Sequence, residues 1–189
     1  MKKLFAATLL LALASQVQAT IVQFDLKGLA GNGMLPGNEP GTITGGTGGE
    51  IGAGLTYDDV SNQLTVANVV GWGSSQGFTD LSSLANNSHI HGPTTSNNGN
   101  GFTQTAGVLF NLTRSSNAVT GGVFTDAPIT LSAAQEIDLL NGKYYINVHT
   151  ANNPGGELRG FLVPVPEPIS VGALAPLSLL MGRRGRSRR

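Results

Sequence analysis

The chain has no cysteine. That excludes a disulfide-stapled scaffold, a thiol nucleophile and any thiolate metal site. Charge is scarce as well: 12% of the 189 residues are Asp, Glu, Lys or Arg, and aromatics make up 6%. No collagen period, coiled-coil heptad run or long amphipathic helical pattern is present. The two longest apolar stretches lie at the ends, and both fall short of the ~20 residues a stable spanning helix needs. What is there is 27 glycines, Asn- and Thr-laden segments and 40% hydrophobic residues. That is the composition of a β-rich globular chain with enough length for a real core.

The formal net charge of zero is a cancellation between regions. Lys2 and Lys3 open the chain, and Arg183, Arg184, Arg186, Arg188 and Arg189 close it. Between residues 20 and 163 stand ten acids against four bases (Lys27, Arg114, Lys143 and Arg159), a formal charge of −6. Such a body is not a nucleic-acid binder, because phosphate contacts need clustered Lys and Arg.

Residues 1–19 read MKKLFAATLLLALASQVQA. Two lysines, an apolar run from Leu4 to Ala14 and the small-residue ending Val17-Gln18-Ala19 make the three-part pattern of a secretory signal peptide. Cleavage after Ala19 leaves a mature start at Thr20. At the other end, Pro166-Glu167-Pro168 precedes an apolar stretch from Ile169 to Met181 and the arginine cluster. Gly172 and Pro176 weaken that stretch as a spanning helix, and the basic flank stays cytoplasmic. In this three-part order, residues 164–189 resemble the PEP-CTERM sorting signal of Gram-negative bacteria. The resemblance implies recognition by an exosortase-type enzyme at the inner membrane, then delivery to the cell surface or extracellular matrix. A plain C-terminal membrane anchor is the other reading of the same residues.

Residues 20–163 show period-2 patterning. Val22, Phe24 and Leu26 alternate with Gln23 and Asp25. Residues 28–49 read as a Gly/Asn/Pro loop. Strands are expected over Ile51–Tyr57 and Gln63–Val70, joined by a hairpin loop at Asp58–Asn62. A helical turn is expected at Asp80–Leu84 and a short strand at Ser88–Gly92. Further strands are expected at Thr105–Leu112, with Val108, Phe110 and Leu112 on one face, and at Ala118–Phe124. Ser132-Ala133-Ala134-Gln135 fits a capping box, and Gly142 a C-terminal stop, so a helix of about two turns lies between them. Lys143–His149 and Glu157–Val163 complete the strands. Short strands at this spacing favour an all-β Greek-key sandwich or barrel with one short helix.

The only histidines are His89, His91 and His149. Strand alternation puts His89 and His91 on one face, and His149 on a face with Asn147 and Tyr145, so all three project from polar faces away from the core. Three neutral imidazoles suit Zn or Cu and leave one coordination position open, as in a mononuclear metalloenzyme. The structural reading is that they hydrogen-bond with Asn147, Thr150 and a Glu157/Arg159 pair to lock neighbouring turns. Both readings require the three side chains to lie together.

The blocks His89-Ile90-His91-Gly92-Pro93, Leu140 to Thr150 (LNGKYYINVHT) and Asn153 to Gly160 (NPGGELRG) resemble the CHRD domain, the module named after chordin. The resemblance spans roughly residues 22–162 and is strongest in the last third. It implies an immunoglobulin-like or superoxide-dismutase-like β-sandwich and a non-catalytic interaction module, with a surface protein or exopolysaccharide as partner. It assigns no catalytic residue. A copper–zinc superoxide dismutase is excluded by arithmetic, since three histidines cannot fill its dinuclear site and no cysteine can form its disulfide.

Other constellations carry less. Asp58 and Asp59 read as a solvated turn. Glu157 and Arg159 share a strand face and read as a surface ion pair. No EF-hand loop, phosphate loop or nucleophile elbow is present. Trp72, Phe78 and Phe102 lie in loop-like regions. Exposed, they would stack on sugars as a polysaccharide-binding surface; burial at the ends of the sandwich is the reading favoured by aromatic character.

Overall fold

The computed structural model describes residues 20–95 and 99–166. The signal segment through Ala19, and Glu167, Pro168 and the rest of the tail, lie outside the described residues. The strands are β1 (Ile21–Gly28), β2 (Gly31–Asn32), β3 (Gly48–Glu50), β4 (Leu55–Asp58), β5 (Gln63–Thr65) and β6 (Val70–Trp72). They continue as β7 (Ala85–His91), β8 (Val108–Asn111), β9 (Gly122–Val123), β10 (Ile129–Thr130), β11 (Tyr145–Thr150) and β12 (Leu158–Pro164), with α1 (Ala133–Leu140) between β10 and β11. Among the described residues no helix is long and apolar enough to cross a membrane.

Two antiparallel sheets result. The larger, curled one runs β10-β5-β4-β1-β12-β11-β7-β8, with β2 folded back onto β1; the smaller runs β3-β6-β9. Phe24, Leu26, Leu55, Leu64, Ile90, Ile146, Val148 and Leu162 from the large sheet share one buried cluster with Val70 and Trp72 from the small one. The chain is thus mostly β and sandwich-like, with one short helix.

Two expected strands are each shorter than their pattern: only residues 55–57 of the first and Gln63–Thr65 of the second lie in β4 and β5, with Val70 opening β6. Ile51–Tyr57 is interrupted by Gly52 and Gly54 at φ +60° and +75°, and Gln63–Val70 by Asn68 at φ +57°. These left-handed residues stop one strand and redirect the chain. β4 and β5 are what remains of the two in the large sheet, while β6 starts only at Val70 and pairs in the small sheet with β3, which lies just before Ile51 and partly in the stretch expected as a loop. The hairpin at Asp58–Asn62 forms as expected. Asp58 Oδ1 accepts from the Val60 and Ser61 amides, and Asn62 takes φ +56°.

The capping box forms around α1. Ser132 Oγ accepts from the Gln135 amide, and Gln135 Oε1 accepts from the Ser132 amide at 2.9 Å. Gly142 follows at φ +65°. The helical turn expected at Asp80–Leu84 does not form; a single 3-10 turn sits at Ser74–Gln76 and Leu81 is buried. Nor do Val108 and Leu112 share an environment. The pairing of β7 with β8 slips between Ile90 and His91, which leaves Val108 52% exposed and Leu112 buried.

Candidate metal centre

β7, β11 and β12 lie side by side, and their register decides what meets on one face. His91 stands opposite Tyr145, and Tyr145 opposite Phe161. One step along, His89 stands opposite Asn147, and Asn147 opposite Arg159. The alternate residues Ile90, Ile146, Val148 and Leu158 point into the main core. All three histidines therefore share the face away from that core, as strand alternation requires. That face is not solvent, however. His89 is 7% and His91 9% exposed, and Tyr145, Asn147 and Arg159 are buried too. The polar surface expected there is a second, polar interior.

The three imidazoles converge. One ring nitrogen from each lies within 4.8 Å of the other two. His89 Nδ1 is 3.2 Å from His149 Nε2. Tetrahedral nitrogen ligands at Zn–N ≈ 2.0–2.1 Å stand about 3.4 Å apart, so this pair is already at coordinating separation.

Backbone carbonyls fix two of the tautomers. His149 Nδ1 faces the Pro154 carbonyl at 2.9 Å, and His91 Nδ1 faces the Ala106 carbonyl at 3.0 Å. A ring nitrogen facing a carbonyl carries the hydrogen, so the neutral ring's Nε2 keeps its lone pair. In His149 that lone pair accepts from His89 Nδ1. In His91 it is buried and has no partner among the described residues. Donation of the second ring N–H to a carbonyl is how metal-binding histidines are held. Burial above all, then the neighbouring imidazoles of His149 and His91 and then Arg114, pushes His89 down to about 4. Burial also lowers His91, against the opposing effect of the Ala106 carbonyl. Both rings are neutral near pH 7, the form a metal requires.

A stack supports the triad. The Tyr145 ring lies parallel to His91, 2° between planes and 4.9 Å between centres. The Arg159 guanidinium lies over Tyr145, 3.7 Å from the ring centre, and also reaches Phe161 and the Gln104 carbonyl. Arg159 does not pair with Glu157. Its acidic neighbour is Glu39, 3.8 Å away and itself buried. The expected surface ion pair is replaced by two separate buried charges. Glu157 accepts instead from the Gly46 and Ser82 amides, the Ser82 and Thr150 hydroxyls and the Asn153 amide. It ties three loops together.

Trp72 is fully buried against Phe124, so it offers no platform for a sugar. Phe78 and Phe102 are half-buried, Phe102 against Phe161. Thr20 is exposed and its amide donates to Asp59 Oδ1. Pro166 is the last described residue. Sequence reasoning missed Glu39, which sits in a Gly/Asn/Pro loop with no periodicity to mark it, and the carbonyls of Ala106 and Pro154, which no side-chain pattern can reveal.

No curated protein and no solved structure matches this chain. The family model of the CHRD domain matches residues 31–162, a span that includes all three histidines, Tyr145, Arg159 and Glu39. This chain belongs to the CHRD domain family.

Proposed function

We propose that this chain is an exported CHRD module that holds one Zn or Cu ion at His89, His91 and His149 and acts without catalysis, as a surface or matrix interaction module. The observation that carries the metal reading is the convergence of three ring nitrogens within 4.8 Å, two of them with tautomers set by the Ala106 and Pro154 carbonyls. A purely structural cluster has no need of the buried, unpartnered acceptor at His91 Nε2. On binding, the ion takes the place of the proton between His89 and His149, and His89 carries its hydrogen on Nε2.

The export part rests on the sequence. Cleavage after Ala19 frees Thr20, one residue before β1. The Pro166-Glu167-Pro168 tail then brings the chain to an exosortase-type enzyme, which sends it to the surface or an exopolysaccharide matrix. For the fold, two antiparallel sheets sharing one core support a Greek-key sandwich of immunoglobulin-like or superoxide-dismutase-like type.

The test is metal content of the purified full chain after exposure to Zn or Cu. One equivalent per chain, lost in His91→Ala, is expected. No bound metal at full supply overturns the proposal.

A further inference from the structure

Resting on the metal reading above, we infer that the triad selects copper in its +1 state over Zn(II) and Cu(II). The argument is one of charge. All three donors are neutral imidazoles, and the two assigned second-ring N–H bonds end on backbone carbonyls, not on carboxylates. Nothing in the donor set offsets a second positive charge.

The surroundings add positive charge. Among the described residues, Arg114 acts on His89 and Arg159 on His91. Arg159 is buried on the far side of the Tyr145 ring from His91. Arg114 is held beside β7 by the Ser88 hydroxyl and the Asn86 carbonyl. The acid that Arg159 meets is Glu39, 3.8 Å away. It is engaged with Arg159, and burial favours its neutral form.

His89 and His91 are also removed from water. The cost of charging a buried site grows with the square of the charge, so a divalent ion is penalised about four times as heavily as a monovalent one. Imidazole suits Zn and copper alike, and among divalent ions affinity alone favours Cu(II). Selection must therefore come from charge. Three donors also complete the shell of a three-coordinate d10 monovalent ion, whereas Zn requires a fourth ligand.

The experiment is competition in the full chain, purified in detergent without oxygen. Equimolar Zn(II) and ascorbate-reduced copper are offered together, and bound metal is measured. One equivalent of copper, silent in electron paramagnetic resonance, with Zn excluded, is the expected result. Arg114→Gln should move the preference toward Zn by about tenfold, the order of effect of removing one charge at an effective dielectric near 20. One equivalent of Zn retained against copper overturns the selection while leaving the metal site standing. No metal of either kind overturns both. If Arg114→Gln does not fold, the competition in the unaltered chain decides alone.

Discussion

His91 and Tyr145 are cross-strand partners whose rings lie face to face, and both reach the same residue, Ala106. His91 Nδ1 donates to the Ala106 carbonyl, while the Tyr145 hydroxyl accepts from the Ala106 amide at 3.1 Å and donates to its carbonyl at 3.3 Å. The peptide that orients the imidazole is thus gripped by the ring stacked on it. Orientation of a triad imidazole here depends on a side chain that is not itself one of the three.

Tyr145→Phe keeps the stack and removes the grip. The expected loss of stability is small, about 1 kcal/mol for the bonds removed. Metal affinity should fall more than stability does, within the roughly 10–100-fold range of supporting-residue changes. Thermal melting of the metal-free chain, set beside a metal-chelator competition, separates the two. Equal metal affinity in both chains would refute the positioning role.

Glu157 is the second structural anchor. Burial alone would raise its pKa, but the donors from Ser82, Gly46 and Thr150 outweigh burial and hold it below the usual 4.5. A lowered carboxylate contributes stability that is present above 4.5 and lost as pH falls through the lower, folded value. Glu157→Gln turns an amide donor toward donors and should cost about 3 kcal/mol near pH 7. In urea unfolding, the deficit should shrink as pH falls below 4.5 and through the lower, folded value, where the native carboxylate is itself protonated. A deficit that stays constant to low pH would show that the charge is not what binds the loops.

Much of this was legible in the sequence, and the reasons differ by residue. The capping box at Ser132 and Gln135 is a local code, and it formed. The shared face of His89 and His91, and that of His149 with Asn147 and Tyr145, follow from alternation and also held; that the two are one face is set by the pairing of β7 with β11. Alternation says nothing about what covers a face, so the burial of His89 and Arg159 could not be read. Pairing across the sheet is equally invisible. Glu157 and Arg159 are two residues apart on one strand, yet their partners come from Ser82 and Glu39, far along the chain. The shortened strands failed for a local reason that was present but unread: Gly52, Gly54 and Asn68 are the residue types that adopt positive φ.

The helix stop offers a sharper test than its start. Ser132→Ala removes the cap acceptor and should cost about 1 kcal/mol. Gly142 sits at φ +65°, where an alanine is strained. Gly142→Ala should therefore cost a further 1 kcal/mol or so, in place of the gain that alanine brings where the backbone suits it. Denaturant midpoints of the two variants give both figures. A stabilised Gly142→Ala would contradict the left-handed stop.

Glu39 supplies the pH dependence. Burial raises its pKa from 4.5 to about 7, against the lowering effects of Arg159 and Asn147. Gly156, at φ +131°, packs so closely against Glu39 Oε1 and the Asn147 amide that a Cβ there would overlap both. A carboxyl raised on folding contributes stability that is full below 4.5 and lost as pH rises through about 7. The displacement corresponds to about 3 kcal/mol as an upper figure. Glu39→Gln cannot ionise, so it lacks this slope while every other group titrates as before. The stability of Glu39→Gln relative to the unaltered chain should therefore climb between about pH 4.5 and 7.5, by up to about 3 kcal/mol. Parallel curves across that window would mean that Glu39 is already ionised at pH 5 and that the Arg159 pair, not burial, governs it.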